Sequence, residues 1–123
     1  MPEFSFVLLH VEDHAASAVF YSELFGIPII EQKADFAMLP LREGVMLGLW
    51  ARETVEPTST GRTGASEIAF IVTDANAVDA RHVEWKQRGV DIIQAPTSMS
   101  FGMTFVAADP DGHRLRVFAP PGA

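Results

Sequence analysis

Hydrophobic and polar positions along the chain fall into two periods, one of about two residues and one of about 3.6, which separate strands from helices. Phe4 to Val11 is a near-continuous apolar run of β-type residues and predicts a strand buried on both faces or nearly so. Glu12-Asp13-His14 turns the chain, with Asp13 at a helix N-cap position. A helix is predicted over Ala15–Phe25, where Ala16, Val19, Phe20 and Leu24 recur at helical spacing. Gly26 stands where a C-terminal glycine belongs, and Pro28 prevents continuation. Three short strands follow, over Ile27–Lys33, Asp35–Pro40 and Val45–Ala51, the last two joined by the Arg42-Glu43-Gly44 turn. Glu53–Ala65, with Pro57, Gly61 and Gly64 among threonines and serines, reads as a polar loop.

Beyond that loop the pattern starts again. Glu67–Thr73 predicts a strand, Asp74 a helix cap, and Ala75–Arg88 a helix with Val78, His82 and Trp85 on one face, ended by Gly89. Val90–Gln94, Met103–Ala108 and Arg114–Phe118 predict the remaining strands, the last two separated by the turn Asp109-Pro110-Asp111-Gly112-His113. Val11-Glu12-Asp13 opens the first helix as Val72-Thr73-Asp74 opens the second, and each half reads strand, helix, glycine, three strands. The expectation is an α+β chain made of a duplicated βαβββ unit. It forms a single domain over residues 1–123, with modules at about 1–55 and 65–123.

Composition narrows the partners. The 123 residues fit one domain. The absence of cysteine removes disulfides, thiol nucleophiles and cysteine-type zinc sites. A formal net charge of −7 argues against nucleic acid and anionic membranes and suits a neutral or cationic ligand better. Met1-Pro2-Glu3-Phe4 lacks the basic start and long apolar run of a signal peptide. No apolar stretch approaches the roughly 18 residues of a membrane span. The chain is expected to be cytoplasmic.

Several segments resemble the vicinal-oxygen-chelate superfamily, which includes glyoxalase I, extradiol dioxygenases, fosfomycin-resistance enzymes and bleomycin-resistance proteins. The resemblance is carried by Val11-Glu12-Asp13, Ala18-Val19-Phe20-Tyr21 and Leu24-Phe25-Gly26 in the first half. In the second half it is carried by Glu67-Ile68-Ala69-Phe70 with Asp74, and by Asp109 to Leu115. It implies the glyoxalase/bleomycin-resistance fold, in which the modules form a cup-shaped mixed sheet around a cavity. Small members pair as homodimers with shared cavities.

Enzymes of this family hold a divalent metal in the cup through His and Glu side chains. The four positions fall here on Phe6, Gly48, Glu67 and Arg116. Phenylalanine and glycine offer no donor, and arginine is a permanent cation. One carboxylate does not hold a transition metal, so neither metal nor other cofactor is expected. His113, His14 and His82 lie in a turn and on helices, whereas His10 shares strand parity with Phe6 and Leu8 and could face the cavity near its rim. Glu67 and Arg116 are expected to lie close together, either as a structural ion pair or as groups presented to ligand heteroatoms.

Strand alternation gives Met46, Gly48 and Trp50 a common face, which the resemblance turns toward the cup. Trp50 then offers a flat wall, with Gly48 leaving open space beside it. Phe6, Phe36, Phe101, Met99 and Met103 add aromatic and adaptable surface, and Trp85 is expected to pack against the sheet. Such a slot suits a planar polycyclic molecule.

Within the superfamily the chain resembles the antibiotic-binding members, particularly the phenazine-resistance type. The likeness rests on Leu49-Trp50, the run Phe101-Gly102-Met103-Thr104-Phe105, and Asp109 to His113. It implies a homodimeric protein that sequesters a planar aromatic antibiotic without chemistry. A metal-independent lyase or isomerase with Glu67 as general base is the alternative. A partner-binding regulatory protein is a third class without a specific signal.

Overall fold

In the computed structural model, which describes residues 2–62 and 66–122, both helices begin at the aspartates that the pattern placed there. The Asp13 carboxylate accepts from the Ala16 N–H at 3.0 Å, and the Asp74 carboxylate from the Ala77 N–H at 2.8 Å. Each cap satisfies one donor that the first helical turn leaves open. The chain divides into two compact units, Met1–Arg62 and Thr63–Ala123.

The first unit runs β1 (Phe6–Val11), α1 (His14–Phe25), β2 (Glu31–Gln32), β3 (Phe36–Arg42) and β4 (Val45–Ala51), followed by one helical turn at Arg52–Thr54. Its strands form a four-stranded mixed sheet in the order β1-β4-β3-β2, with β1 parallel to β4 and the other pairs antiparallel. The second unit repeats this with β5 (Glu67–Ile71), α2 (Ala75–Gln87), β6 (Asp91–Met99), β7 (Gly102–Ala108) and β8 (Arg114–Ala119), ordered β5-β8-β7-β6 with β5 parallel to β8. The duplicated βαβββ organisation and the α+β class are therefore those the pattern predicts.

In each unit the helix covers one face of its own sheet. Val11, Leu39, Leu47 and Leu49 are fully buried, and α1 contributes Ser17, Ala18, Tyr21 and Leu24. In the second unit α2 contributes Val78 and Trp85, and the Trp85 ring meets Phe105 edge-on with centroids 5.3 Å apart. His82 meets the same Phe105 ring at 5.4 Å. Trp85 thus packs on its sheet, as its helical position suggests.

Four local expectations change. β1 is buried on one face only, since Phe6 and Leu8 on the other stay 45% and 48% exposed. In α1 the buried stripe runs through Ser17, Ala18, Tyr21 and Leu24, while Val19 is exposed; apolar residues surround this helix, so spacing alone could not select its inner face. The strand expected over Ile27–Lys33 shrinks to Glu31–Gln32, an edge strand that follows Pro28. β6 instead extends to Met99 through Pro96, which its edge position and the register shifts around it accommodate. Of the polar loop expected over Glu53–Ala65, residues 63–65 lie outside the described residues.

Because Trp85 is 3% exposed and seated on Phe105, Trp85→Ala should lower unfolding free energy by about 3–5 kcal/mol. Val19→Ala, at an exposed site, should fall within about 0.5 kcal/mol of the parent. Urea unfolding of both variants checks this, and equal losses would contradict the assignment of faces.

Candidate functional site

The face of the first sheet that α1 does not cover is set by register. Phe6, Leu8 and His10 on β1 stand opposite Met46, Gly48 and Trp50 on β4, and these stand opposite Pro40, Met38 and Phe36 on β3. Nine side-chain positions therefore share one surface. Part of it forms an open, largely apolar cavity of about 450 Å³ lined by Phe6, Leu8, Lys33, Asp35, Phe36 and Trp50.

Gly48 does not leave open space beside Trp50, as its lack of a side chain suggested. A methyl group there would lie 2.5 Å from Leu8 Cδ2 and 2.9 Å from Phe36 Cζ. Leu8 and Phe36 already occupy that space, so the glycine lets two lining side chains settle onto the sheet between β1 and β3. Trp50 is flanked by His10, whose ring meets the indole edge-on at 6.3 Å and 88°. His10 Nδ1 lies 2.8 Å from Ser59 Oγ, which fixes the imidazole in turn. His10, Met46 and Gly48 share the face with the cavity but stand outside its lining, so His10 positions a wall instead of being one.

The rim is built by a tight turn. Lys33 N–H donates to Phe36 O at 2.7 Å, Ala51 N–H donates to Asp35 O at 2.8 Å, and His14 Nε2 reaches Lys33 O at 2.9 Å. These contacts fix the backbone carrying Lys33, Asp35 and Phe36. Lys33 Nζ pairs with Glu31 at 3.2 Å.

The corresponding face of the second sheet is polar. Arg116 donates to both carboxylate oxygens of Glu67, Nε to Oε2 and Nη2 to Oε1, each at 3.0 Å. Its Nη1 donates to Thr104 Oγ1 at 3.3 Å, and Thr104 donates onward to Val117 O at 3.0 Å. Arg114 approaches the same carboxylate at 3.8 Å. The Phe101 ring lies over the Arg116 guanidinium at 5.6 Å and meets Phe118 edge-on at 6.0 Å. The hydrogen bonds from Arg116 hold the Glu67 carboxyl below its ordinary range, with the Arg116 and Arg114 charges adding to the effect and burial opposing it. The Arg116 guanidinium is held more firmly protonated by the same pair.

The expected residues thus fall into groups. Phe6, Phe36 and Trp50 meet at the cavity, while Glu67, Arg116 and Phe101 meet on the second sheet. Met103 does not join them: it shares strand parity with Phe105, on the face packed against α2, whereas Thr104 is on the face of Arg116. Met99 ends β6 as an exposed side chain. Leu8, Lys33 and Asp35 were missed. Parity with Phe6 marks Leu8, but no periodicity marks the two turn residues.

A divalent metal does not suit these positions. Phe6 presents a ring, the space at Gly48 is filled by Leu8 and Phe36, and Glu67 has both oxygens engaged by a guanidinium. Among the described residues no three His, Asp or Glu side chains gather as a metal site.

Residues 4–117 match the family model of the Glyoxalase/Bleomycin resistance protein/Dioxygenase superfamily. In sequence the chain is 26% identical over 113 residues to the phenazine antibiotic resistance protein EhpR of Enterobacter agglomerans, covering 89% of this chain and 86% of that one. Its structure is similar to that of an Agrobacterium tumefaciens protein solved by NMR, with TM-score 0.88 and 43% identity over 99% of this chain and 100% of that one. It is also similar to a glyoxalase/bleomycin resistance protein/dioxygenase from Nocardioides, with TM-score 0.85 and 22% identity over 100% and 87% of the two chains. That second likeness concerns the fold alone.

Since Glu67 has a depressed pKa in the folded chain, its pairing contributes stability above its ordinary value and loses it as pH falls through the lowered one. Glu67→Gln should therefore be less stable than the parent at neutral pH, and the gap should close on acidification below the ordinary carboxylate range. Chemical unfolding across acidic pH checks this; a gap independent of pH would contradict it.

Proposed function

The chain belongs to the Glyoxalase/Bleomycin resistance protein/Dioxygenase superfamily, and on that premise we propose that it binds and sequesters a planar aromatic antibiotic without converting it. The observation that carries this reading is the aromatic-walled cavity on the uncovered face of the first sheet, with Trp50, Phe36 and Phe6 around it. Its volume of about 450 Å³ is in the range of small-molecule sites. Rings stacked in offset or edge contact gain beyond their buried area, so three aromatic walls favour a flat ring system over a compact aliphatic one. The similarity to a phenazine antibiotic resistance protein supports the same class of ligand.

Turnover with Glu67 as general base is disfavoured. A base at neutral pH needs a raised pKa and a free oxygen, whereas Arg116 lowers the one and occupies both others. The protein acts without a bound divalent metal, because Phe6, Gly48 and Arg116 stand at three of the four positions where the resemblance places the family's metal ligands. We further propose a cytoplasmic homodimer. Phe4, Ile71 and Ile93 are large apolar residues exposed outside the cavity, surface that pairing of two copies would cover. No helix among the described residues is long and apolar enough to cross a membrane.

Trp50→Ala should weaken binding of a planar tricycle such as phenazine by about 1–3 kcal/mol with the fold retained. Calorimetric titration and thermal melts check it, and unchanged affinity would place the slot elsewhere. Mass spectrometry of ligand recovered after long incubation should return it unaltered; a product would overturn the non-catalytic reading. Elemental analysis of protein purified without chelator should find well under one divalent ion per chain. Light scattering should give twice the chain mass.

A further inference from the structure

The rim of the cavity carries one carboxylate with no counter-charge. Of its two charged lining residues, Lys33 is engaged by Glu31 at 3.2 Å, whereas among the described residues Asp35 has no ion-pair or side-chain hydrogen-bond partner. Lys33, Glu31 and Asp35 together leave the rim with a net negative charge, on a chain whose formal charge is already −7. Asp35 is also held in place, because its own carbonyl accepts from Ala51 N–H at 2.8 Å and the turn is closed by Lys33 N–H on Phe36 O at 2.7 Å. A carboxylate on a hydrogen-bonded stretch of backbone therefore lines the same cavity as Phe6, Phe36 and Trp50.

That combination has a definite chemical preference. Aromatic faces carry negative potential and attract cations, most strongly when the site is partly desolvated, and a neighbouring carboxylate adds Coulombic attraction. An anionic ligand meets both as repulsion, and a neutral ring gains from stacking alone. We propose that the cavity selects planar aromatic cations, such as N-alkylated or protonated nitrogen heterocycles, with Asp35 as the residue that sets the charge preference. This rests on the reading of the cavity as the ligand slot and deepens it.

The test holds the tricyclic ring constant and varies its charge through a single small substituent. N-methylphenazinium, phenazine and a phenazine carboxylate are titrated in the dark by calorimetry into the parent protein and into Asp35→Asn, Lys33→Gln and Trp50→Ala. The cation should bind the parent about tenfold more tightly than phenazine, and the carboxylate more weakly than phenazine. Asp35→Asn should remove most of the cation's advantage while leaving phenazine unchanged, and the advantage should shrink with added salt. Lys33→Gln should not weaken the cation. Trp50→Ala should weaken all three, which ties them to this cavity. Equal affinities in the parent, or the carboxylate binding most tightly, would overturn the charge preference while sparing the slot. A cation advantage that survives Asp35→Asn would remove Asp35 from the role. Failure of all three to bind would overturn the slot itself and this inference with it.

Discussion

A strand that buries alternate side chains under a helix must present the intervening ones on the opposite face. In the first unit this constraint governs nearly everything of functional interest. Leu9, Val11, Leu47 and Leu49 are buried on the face of the sheet that α1 covers. Phe6, Leu8 and Trp50 then stand on the other face, where α1 does not reach them. Their apolar character is not needed for that packing, and large apolar side chains left in water are costly. Gly48 sharpens the arrangement, since its missing side chain lets Leu8 and Phe36 sink onto the sheet beside the indole.

The second unit uses the same scaffold for different chemistry. Its helix-covered face is again apolar, with Phe105, Leu115 and Val117 buried, but the opposite face carries Glu67, Arg114, Arg116 and Thr104. A doubly bonded guanidinium–carboxylate pair is internally satisfied, so it is a poor proton shuttle and a poor metal ligand. Exposed pairs of this kind add little to stability, and what this one adds depends on Glu67 remaining ionised. Duplication of a fold thus leaves one sheet face apolar and aromatic and its counterpart ionic, which is why family membership alone does not fix chemistry.

Much of this was legible in the sequence, for identifiable reasons. Asp13 and Asp74 announce helix starts because few residues cap well, and Val45–Ala51 is bounded by a turn glycine and a polar segment. The common face of Phe6, Trp50 and Phe36 follows from alternation once their strands are aligned. What alternation could not supply was the conformation between strands. Lys33 and Asp35 reach the cavity through a turn closed by backbone hydrogen bonds, which no periodicity encodes. Alternation puts Gly48 on the face of Trp50 but does not show that the space it vacates is filled by Leu8 and Phe36, neighbours distant in sequence. Membership of the run Phe101 to Phe105 does not bring Met103 to the polar face, because adjacent residues in a strand point to opposite faces.

In the proposed reading the ligand is held on the uncovered face of the first sheet and not in the packed interior of the second unit. The chain has two tryptophans, Trp50 at that face and Trp85 beneath α2, so its two indole N–H resonances report on the two places separately. In a titration of isotope-labelled protein with phenazine, the account predicts that the Trp50 signal shifts progressively to saturation while the Trp85 signal stays in place. A shift confined to Trp85, or a saturating interaction that moves neither, would contradict it.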